Sequence, residues 1–191
     1  MTNVILASRS PRRRQLLAKA GLRVRVIPST VRESKISAPS AEHHAVALAL
    51  AKAENVAKKL RSGLVIGADT LVVLGKKALG KPRNTKDAVR ILSLLNNTRH
   101  YVCTAIAVID AKTKKRIVDI DKTAIVTRKI SSALIQKLAR KNQDKAGAYA
   151  VQENADVLVK KIEGDFYTVV GLPLKKLKII LEIFSITIPA S

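Results

Sequence analysis

A cluster of three arginines, at residues 12–14, is the first candidate for chemistry in this sequence. It follows an apolar run at residues 4–7 and a short polar loop, and it falls where the first turn of a helix is predicted. Ser10 has the N-cap residue type, and Pro11 suits the first helical position. Cations at this end of a helix oppose the macrodipole by about 0.3–1 kcal/mol each. A phosphate on the free amides of that turn would reverse the sign of this effect, so the pattern indicates a phosphate site; an exposed basic turn is the alternative.

One carboxylate and two lysines form a second group of candidates. Asp69 ends the apolar run LVIGAD, which is predicted to be a buried strand, and open α/β sheets place their ligands at the carboxyl ends of strands. A carboxylate there can hold a divalent cation or orient a water, although a turn aspartate followed by Thr70 is equally open. Lys81 lies in the loop LGKPRN and Lys52 on a predicted helix. Solvated surface lysines are the alternative for both.

Other types of site have weaker support. His43 and His44 are adjacent and point to different faces of a helix, which argues against a shared metal. Gln152 follows the small-residue run AGAYAV, where an amide could contact a base edge or simply lie in a loop. The sequence has no Walker-type loop, no pair of glutamates at glycosidase spacing and no serine triad. A hydrolase would therefore use metal, lysines and arginines around a phosphate.

Composition limits the class of protein. The 191 residues are 47% hydrophobic, which is enough for a full core, and the net charge is +22. A nucleic-acid surface, an anionic substrate or a compositional bias of the source could each explain this charge, and we favour the last. The basic residues are scattered, and three Tyr and two Phe form no evident stacking platform. With no signal peptide or spanning segment, we expect a soluble, intracellular protein in which Cys103 is a buried, inert thiol.

The predicted elements alternate between strands and helices. Ser40 caps a long second helix that runs towards Gly63, Thr85 caps a third, and a hairpin with a loop at residues 111–115 follows. The remaining predictions are a first helix ending at Gly21, a helix from Ser131 or Ser132 to about Lys141, strands at 148–152 and 155–164, and a final helix at 173–184. This order favours an α/β fold on a mixed sheet.

Four segments taken together resemble the Maf family: ILASRSPRRRQLL, GADTLVVLGKKALGKPRNTKDAVRILSLL, KAGAYAVQ and VVGLPL. The resemblance covers nearly the whole chain in order. It implies one domain at residues 1–191 with a Maf/ITPase-like fold: a mixed central sheet flanked by helices, with two lobes and a cleft between them. Maf proteins are nucleoside triphosphate pyrophosphatases linked to septum formation. The implied reaction is hydrolysis between the α and β phosphates, with a divalent cation, Mg or Mn.

The resemblance also implies roles for particular residues. It places the catalytic aspartate at Asp69 and makes Glu33, in VRES, a candidate for the metal or its water. The implied phosphate contacts are Ser8, Arg13, Lys52 and Lys81.

Three positions divide the family by substrate. Arg12, Thr70 and Gln152 match the branch that prefers dTTP and UTP, rather than the branch that acts on 7-methyl-GTP. The chain departs from the family around the glutamine, where glycine is usual, because Ala150 precedes it and Glu153 and Asn154 follow it. Side chains there occupy a loop in which close backbone approach was expected, so the preferred nucleotide is open.

Two other classes of function stay open at this point. A basic nucleic-acid-binding module would bind RNA or DNA with a steep dependence on salt. A cell-division interaction protein would fold normally and show no turnover. We expect a cytoplasmic enzyme with a nucleoside triphosphate substrate and no membrane partner, and a homodimer is left open.

Overall fold

Helices and strands alternate along the chain, as the sequence predicts. The computed structural model describes residues 3–141, 146–149 and 157–187. Its helices are α1 (Pro11–Lys19), α2 (Ala41–Ala57), α3 (Thr85–Leu95), α4 (Ser132–Lys141), α5 (Phe166–Val170) and α6 (Leu174–Ile183). Its strands are β1 (Val4–Leu6), β2 (Arg25–Val26), β3 (Leu64–Leu74), β4 (Lys77–Leu79), β5 (Arg99–Asp110), β6 (Arg116–Thr127) and β7 (Val159–Glu163). Short 3₁₀ turns lie at Glu33–Lys35 and Ala146–Ala148.

The strands form one mixed sheet in the order β2-β1-β3-β5-β6-β7, with β4 paired to β3. β1 runs parallel to both β2 and β3, with Ile5 opposite Val65. The pairs β3–β4 and β6–β7 are antiparallel. The predicted mixed sheet flanked by helices is therefore confirmed.

The predicted helix ends are confirmed for α1 and for the start of α2. Ser10 Oγ accepts a hydrogen bond from the Arg13 amide at 3.4 Å, and Pro11 occupies the first helical position. Gly21 follows the helix with a φ of +74°, in the left-handed region that glycine adopts without a steric penalty. Ser40 caps α2 by accepting from the amide of His43. These local signals act through near neighbours in the chain, which is why the sequence alone reveals them.

Several predicted boundaries were wrong. β3 does not end at Asp69 but continues to Leu74, because the following residues are strand formers and no breaker occurs before Gly75, whose φ is +58°. The second helix ends at Ala57 rather than near Gly63. The cap of α3 is Asn84, not Thr85; its side chain accepts a hydrogen bond from the amide of Asp87.

The predicted strands in the last third of the chain were too long. Ala148 belongs to a 3₁₀ turn instead of a strand, and its φ of +59° is incompatible with extended backbone. The rest of that predicted strand, from residue 150, lies outside the described residues. β7 starts at Val159, and the short helix α5 was not predicted.

The chain divides into two compact units. The first comprises Met1–Asp69, Thr104–Asp121 and Gly171–Ser191, and the second comprises Thr70–Cys103 and Lys122–Val170. Fully buried side chains of the first unit include Leu6, Leu17, Ile66, Leu177 and Leu181. In the second unit the core joins α3, α4 and the strands around them, including Leu92, Leu95, Ile125, Leu138 and Leu158.

Cys103 is buried, as expected. Among the described residues, no helix combines the length and the apolar character that crossing a membrane requires.

Candidate active site

Asp69 is a carboxylate within an otherwise apolar strand. It is the sixth of the eleven residues of β3 and is 7% exposed, while Val65, Ile66 and Ala68 before it are fully buried. Burial of a carboxylate is unfavourable unless a partner compensates its charge. The position of Asp69 therefore requires a cation nearby.

The cation near Asp69 is Lys52 of α2, a helix that packs closely against β3. A Cβ atom on Gly67 would lie 2.3 Å from the carbonyl oxygen of Ala49 and 2.8 Å from the amide nitrogen of Ala53. No side chain larger than hydrogen fits there, so the backbones of helix and strand are in direct contact. The buried face of α2 is formed mostly by alanines, which permits this distance. Lys52 lies on the same turn of the helix.

Lys52 bridges two carboxylates. Its Nζ donates to Oδ1 of Asp69 at 2.6 Å and lies 2.7 Å from Oε1 of Glu33. The side chains of Lys52 and Asp69 are only 13% and 10% exposed, whereas Glu33 is 58% exposed. The two carboxylates thus face one ammonium, with Asp69 on the buried side and Glu33 on the solvent side.

Arg13 holds the neighbouring backbone in place. Its Nε donates to the carbonyl of Gly171 at 2.8 Å, and its Nη1 donates to the carbonyl of Ala68 at 2.9 Å and to Oγ of Ser8 at 3.1 Å. Ala68 directly precedes Asp69, so this guanidinium fixes the strand next to the buried carboxylate. Only the planar, forked donors of arginine can serve three acceptors in this way.

Ser8 organises the loop between β1 and α1. Its Oγ accepts from the Ser10 amide at 3.2 Å as well as from Arg13, and Ser10 in turn caps the helix. The loop therefore presents the first turn of α1 in one conformation. In that turn the amides of Arg13 and Arg14 donate to Ser10, and guanidinium groups beside a helix N-terminus are a feature that favours phosphate binding.

Burial and charge have opposite effects on Arg13. Removal from water lowers the pKa of Arg13 from its ordinary value, and the neighbouring charge of Arg12 acts in the same direction. The negative charges of Asp69 and Glu33 raise the pKa and oppose these effects. The guanidinium thus belongs electrostatically to the same group as the two carboxylates and Lys52.

Comparison with known proteins identifies the family of this chain. The profile described as Maf-like protein matches residues 3–184. The chain belongs to the Maf family. Two relatives, both named dTTP/UTP pyrophosphatase, are 43% identical to this Maf chain. The match to the relative from Alkaliphilus oremlandii covers 95% of this chain and 96% of the relative. The match to the relative from Desulforamulus reducens covers 98% of this chain and 100% of the relative.

Solved structures of more distant proteins share the fold. A HAM1 protein from Coxiella burnetii matches this Maf chain with a TM-score of 0.54 at 15% identity, covering 96% of this chain and 100% of its own. The Ham1 protein of Staphylococcus aureus matches with a TM-score of 0.53 at 13% identity, with the same coverage. At these identities the likeness concerns the fold alone.

The structure brings five of the predicted site residues of this Maf chain together in the first unit, in two sets of side-chain contacts that the Arg13–Ala68 hydrogen bond links through the backbone next to Asp69. Arg13 contacts Ser8, and Lys52 contacts both Glu33 and Asp69. Two other predicted residues, Thr70 and Lys81, belong to the second unit. Thr70 is partly buried in β3 directly after Asp69, and Lys81 is exposed in the loop after β4.

Two of the three predicted specificity positions lie in described elements. Arg12 lies in the first turn of α1 and is partly buried, next to Arg13. Thr70 shares its strand with Asp69. Gln152 lies outside the described residues, together with Ala150, Glu153 and Asn154.

A divalent cation suits the donors of this Maf site. Glu33 and Asp69 supply carboxylate oxygens that already face a common cationic group, the ammonium of Lys52. The described residues contain no cluster of three or more His, Cys, Asp or Glu side chains. Mg²⁺ is commonly held by only one or two carboxylates together with substrate phosphates, so two carboxylates are sufficient.

Sequence reasoning missed the carbonyl groups that Arg13 binds. Gly171 lies 158 residues from Arg13 along the chain, in the segment VVGLPL that carries part of the family resemblance. Its φ of +116° explains the glycine. A glycine before Leu-Pro was the only signal in the sequence, and it did not identify a partner.

A separate cavity of about 510 Å³ lies in the second unit, lined by Asn97, Thr98, Arg99, Val126, Thr127, Arg128, Lys129 and Lys160. None of the predicted site residues that the structure describes lines it, and its lining has no carboxylate.

Proposed function

We propose that this protein hydrolyses dTTP and UTP to the nucleoside monophosphate and pyrophosphate. The observation that carries the proposal is the bridging of Asp69 and Glu33 by Lys52, next to the arginine turn of α1. This arrangement offers a candidate base in Asp69, a cation in Lys52 and a helix end that we assign to phosphate. The names of the relatives from Alkaliphilus oremlandii and Desulforamulus reducens support the same reaction.

Asp69 is assigned to the attacking water. Its Oδ1 accepts from Lys52, and we assign its second oxygen to the water. The water oxygen forms a bond to the α phosphorus while the bond from that phosphorus to the α–β bridging oxygen breaks. Pyrophosphate leaves with the bridging oxygen, and the proton of the water passes to Asp69 and then to solvent.

Lysine and arginine side chains balance the charge of the triphosphate. We assign phosphate contacts to Ser8, Arg13, Lys52 and Lys81, and Ser8 also accepts a hydrogen bond from Arg13. Positioned cations are the usual main source of rate in phosphoryl transfer, because they stabilise charge that develops in the transition state. A magnesium or manganese ion held by Glu33 and Asp69 would supply further neutralisation of the phosphate oxygens when bound.

Base recognition is assigned to Arg12, Thr70 and Gln152, the three positions that match the dTTP/UTP branch. The departures around the glutamine leave modified or other pyrimidine nucleotides as a second candidate substrate. We assign the activity to a single domain of residues 1–191. A cytoplasmic location, a homodimer and a link to septum formation stay predictions from the family resemblance.

The test is pyrophosphate release from dTTP, UTP, CTP, GTP and 7-methyl-GTP, with Mg²⁺ or Mn²⁺, for the wild type and Asp69→Asn. We expect turnover of dTTP and UTP that is lost in the variant. Reaction in ¹⁸O-labelled water should place the label in the monophosphate, because attack is at the α phosphorus. Label in pyrophosphate would instead show attack at the β phosphorus.

A matched control is Asp119→Asn. Asp119 also pairs with a lysine, Lys176, at 2.9 Å, but its side chain is 40% exposed and no catalytic role is assigned to it. This variant should keep wild-type turnover. Equal activity in Asp69→Asn and the wild type would contradict the assignment of Asp69, and absence of turnover on all five nucleotides would contradict the proposed reaction.

A further inference from the structure

A buried histidine and tyrosine form a polar pair in the core of the second unit. His100 is 0% exposed and Tyr149 is 7% exposed. Nε2 of the imidazole lies 2.7 Å from the tyrosine hydroxyl, and the two rings meet edge to face with centroids 5.6 Å apart. Burial lowers the pKa of His100 to about 4 and raises the pKa of Tyr149, so that both groups are neutral at physiological pH.

Stability alone does not account for this pair. The other imidazole nitrogen, Nδ1, is buried without a hydrogen-bond partner among the described residues. Two apolar side chains of similar shape would fill the space without leaving a buried polar atom unpaired. What the hydrogen bond adds is a defined position for Tyr149.

The two residues before Tyr149 have backbone conformations that contacts from their surroundings must stabilise. Gly147 and Ala148 have φ values of +73° and +59°, and the second is unfavourable for a residue with a Cβ atom. A Cβ atom on Gly147 would lie 2.8 Å from Cγ2 of Val72 and 3.0 Å from Cε1 of Tyr149. Strained backbone persists only where surrounding contacts hold it, and the ring of Tyr149 is one of those contacts.

This backbone is connected to a predicted substrate contact. The amide of Gly147 donates to the carbonyl of Gly80 at 3.2 Å. Gly80 immediately precedes Lys81, whose exposed side chain we assign to the triphosphate, and the buried Pro82 follows. A shift of residues 146–149 would therefore move the backbone that carries Lys81.

We infer that His100 and Tyr149 are positioning residues: they hold residues 146–149 so that the Gly147–Gly80 hydrogen bond keeps Lys81 in place for the phosphates. The inference rests on the proposed function, in which Lys81 contacts substrate. Neither His100 nor Tyr149 takes part in the chemical step.

The test compares KM and kcat for dTTP in Tyr149→Phe, Lys81→Ala and the double variant. Tyr149→Phe keeps the ring and loses only the hydroxyl, and we expect KM to rise about tenfold with a smaller change in kcat. In the Lys81→Ala background the same substitution should raise KM no further, because the affected contact is already absent. Tyr167→Phe, at an exposed tyrosine of the same unit, should match the wild type.

The double variant His100→Leu/Tyr149→Phe separates the positioning role from a purely structural one. It removes both polar partners, so its melting temperature should lie nearer the wild-type value than that of either single variant, while KM stays raised. His100→Gln can place an amide near the position of Nε2 and should keep KM near the wild-type value, whereas His100→Leu should raise it. Recovery of KM together with the melting temperature in the double variant would overturn the inference.

The two proposals fail in distinguishable ways. If Lys81→Ala raises KM but Tyr149→Phe does not, or if their effects multiply, the positioning role is wrong and the proposed function stands. If Lys81→Ala itself leaves KM unchanged, the proposed contact of Lys81 is wrong, and the positioning role falls with it.

Discussion

Gly67 of β3 and Ala49 of α2 are in direct backbone contact. A Cβ atom at Gly67 would lie 2.3 Å from the Ala49 carbonyl oxygen, a separation that real Cβ atoms do not show. The contact lets Lys52 of the same helix reach Asp69 of the same strand at 2.6 Å. The ion pair at the candidate site thus depends on a glycine that has no chemical role of its own.

Gly67→Ala is therefore expected to damage both stability and activity. Overpacking of this kind costs about 1–3 kcal/mol, and separation of α2 from β3 would lengthen the contact between Lys52 and Asp69. Urea unfolding and the kcat for dTTP measure the two effects. Gly80→Ala is the control for stability, because among the described residues no atom beyond the chain neighbours lies within 4 Å of the added methyl group. An equal loss of unfolding free energy in both variants would contradict the packing argument.

Lys52→Met should abolish most activity while preserving the length of the side chain. The substitution leaves the Asp69 and Glu33 carboxylates without the ammonium that bridges them, at a cost of about 1–3 kcal/mol for the buried partner. Loss of one preorganised cationic donor predicts a fall in kcat of about 100-fold or more. Steady-state kinetics with dTTP and urea unfolding measure these quantities.

Lys176→Met provides the comparison for Lys52→Met. Lys176 pairs with Asp119 at 2.9 Å, but both side chains are about a third or more exposed, at 33% and 40%. Partly exposed pairs contribute roughly 0–1 kcal/mol, so this variant should be nearly as stable as the wild type and fully active. A similar loss of turnover in both lysine variants would show that the role of Lys52 is not specific.

Arg13→Lys keeps the charge and loses the forked donors. A lysine cannot bind the carbonyls of Gly171 and Ala68 and the hydroxyl of Ser8 at once, so we expect lower stability and lower kcat/KM. The exposed Arg14 in the same helical turn offers a matched control, since Arg14→Lys keeps the charge at a side chain that is not buried. Thermal unfolding and dTTP kinetics of the two variants should differ clearly, and indistinguishable behaviour would contradict the positional role of Arg13.

The stability of the fold should decrease in mild acid because of His100. Its pKa is about 4 when folded and 6.5 ordinarily, so the unfolded chain binds a proton between these values that the folded chain does not. Stability from this group is complete above pH 6.5 and is lost as the pH falls towards 4, by about 3 kcal/mol in all.

Urea unfolding at several pH values, for the wild type and His100→Gln, measures this effect. The glutamine variant lacks the titrating group, so its stability should fall less between pH 6.5 and 4. The carboxylates contribute equally to both proteins and cancel in the comparison. Parallel curves for the two proteins would show that folding does not lower the pKa of His100.

Local signals in the sequence predicted much of the secondary structure. Ser10, Pro11 and Gly21 mark the two ends of the first helix through contacts with near neighbours, and Ser40 marks the start of the second. The same kind of reasoning misplaced the end of β3. The residues after Asp69 form extended backbone, and nothing local distinguishes a strand that stops at a carboxylate from one that continues past it.

The sequence by itself determined the family and the candidate residues of this protein, because four ordered motifs along one chain are specific. Only the tertiary structure decided which of these residues meet. Lys52 and Asp69 are 17 residues apart and come together across the Gly67 contact; Arg13 and Gly171 are 158 apart and come together through a carbonyl. His100 and Tyr149 carried no signal, because a hydrogen bond between distant elements depends on packing in three dimensions, which residue spacing along the chain does not encode.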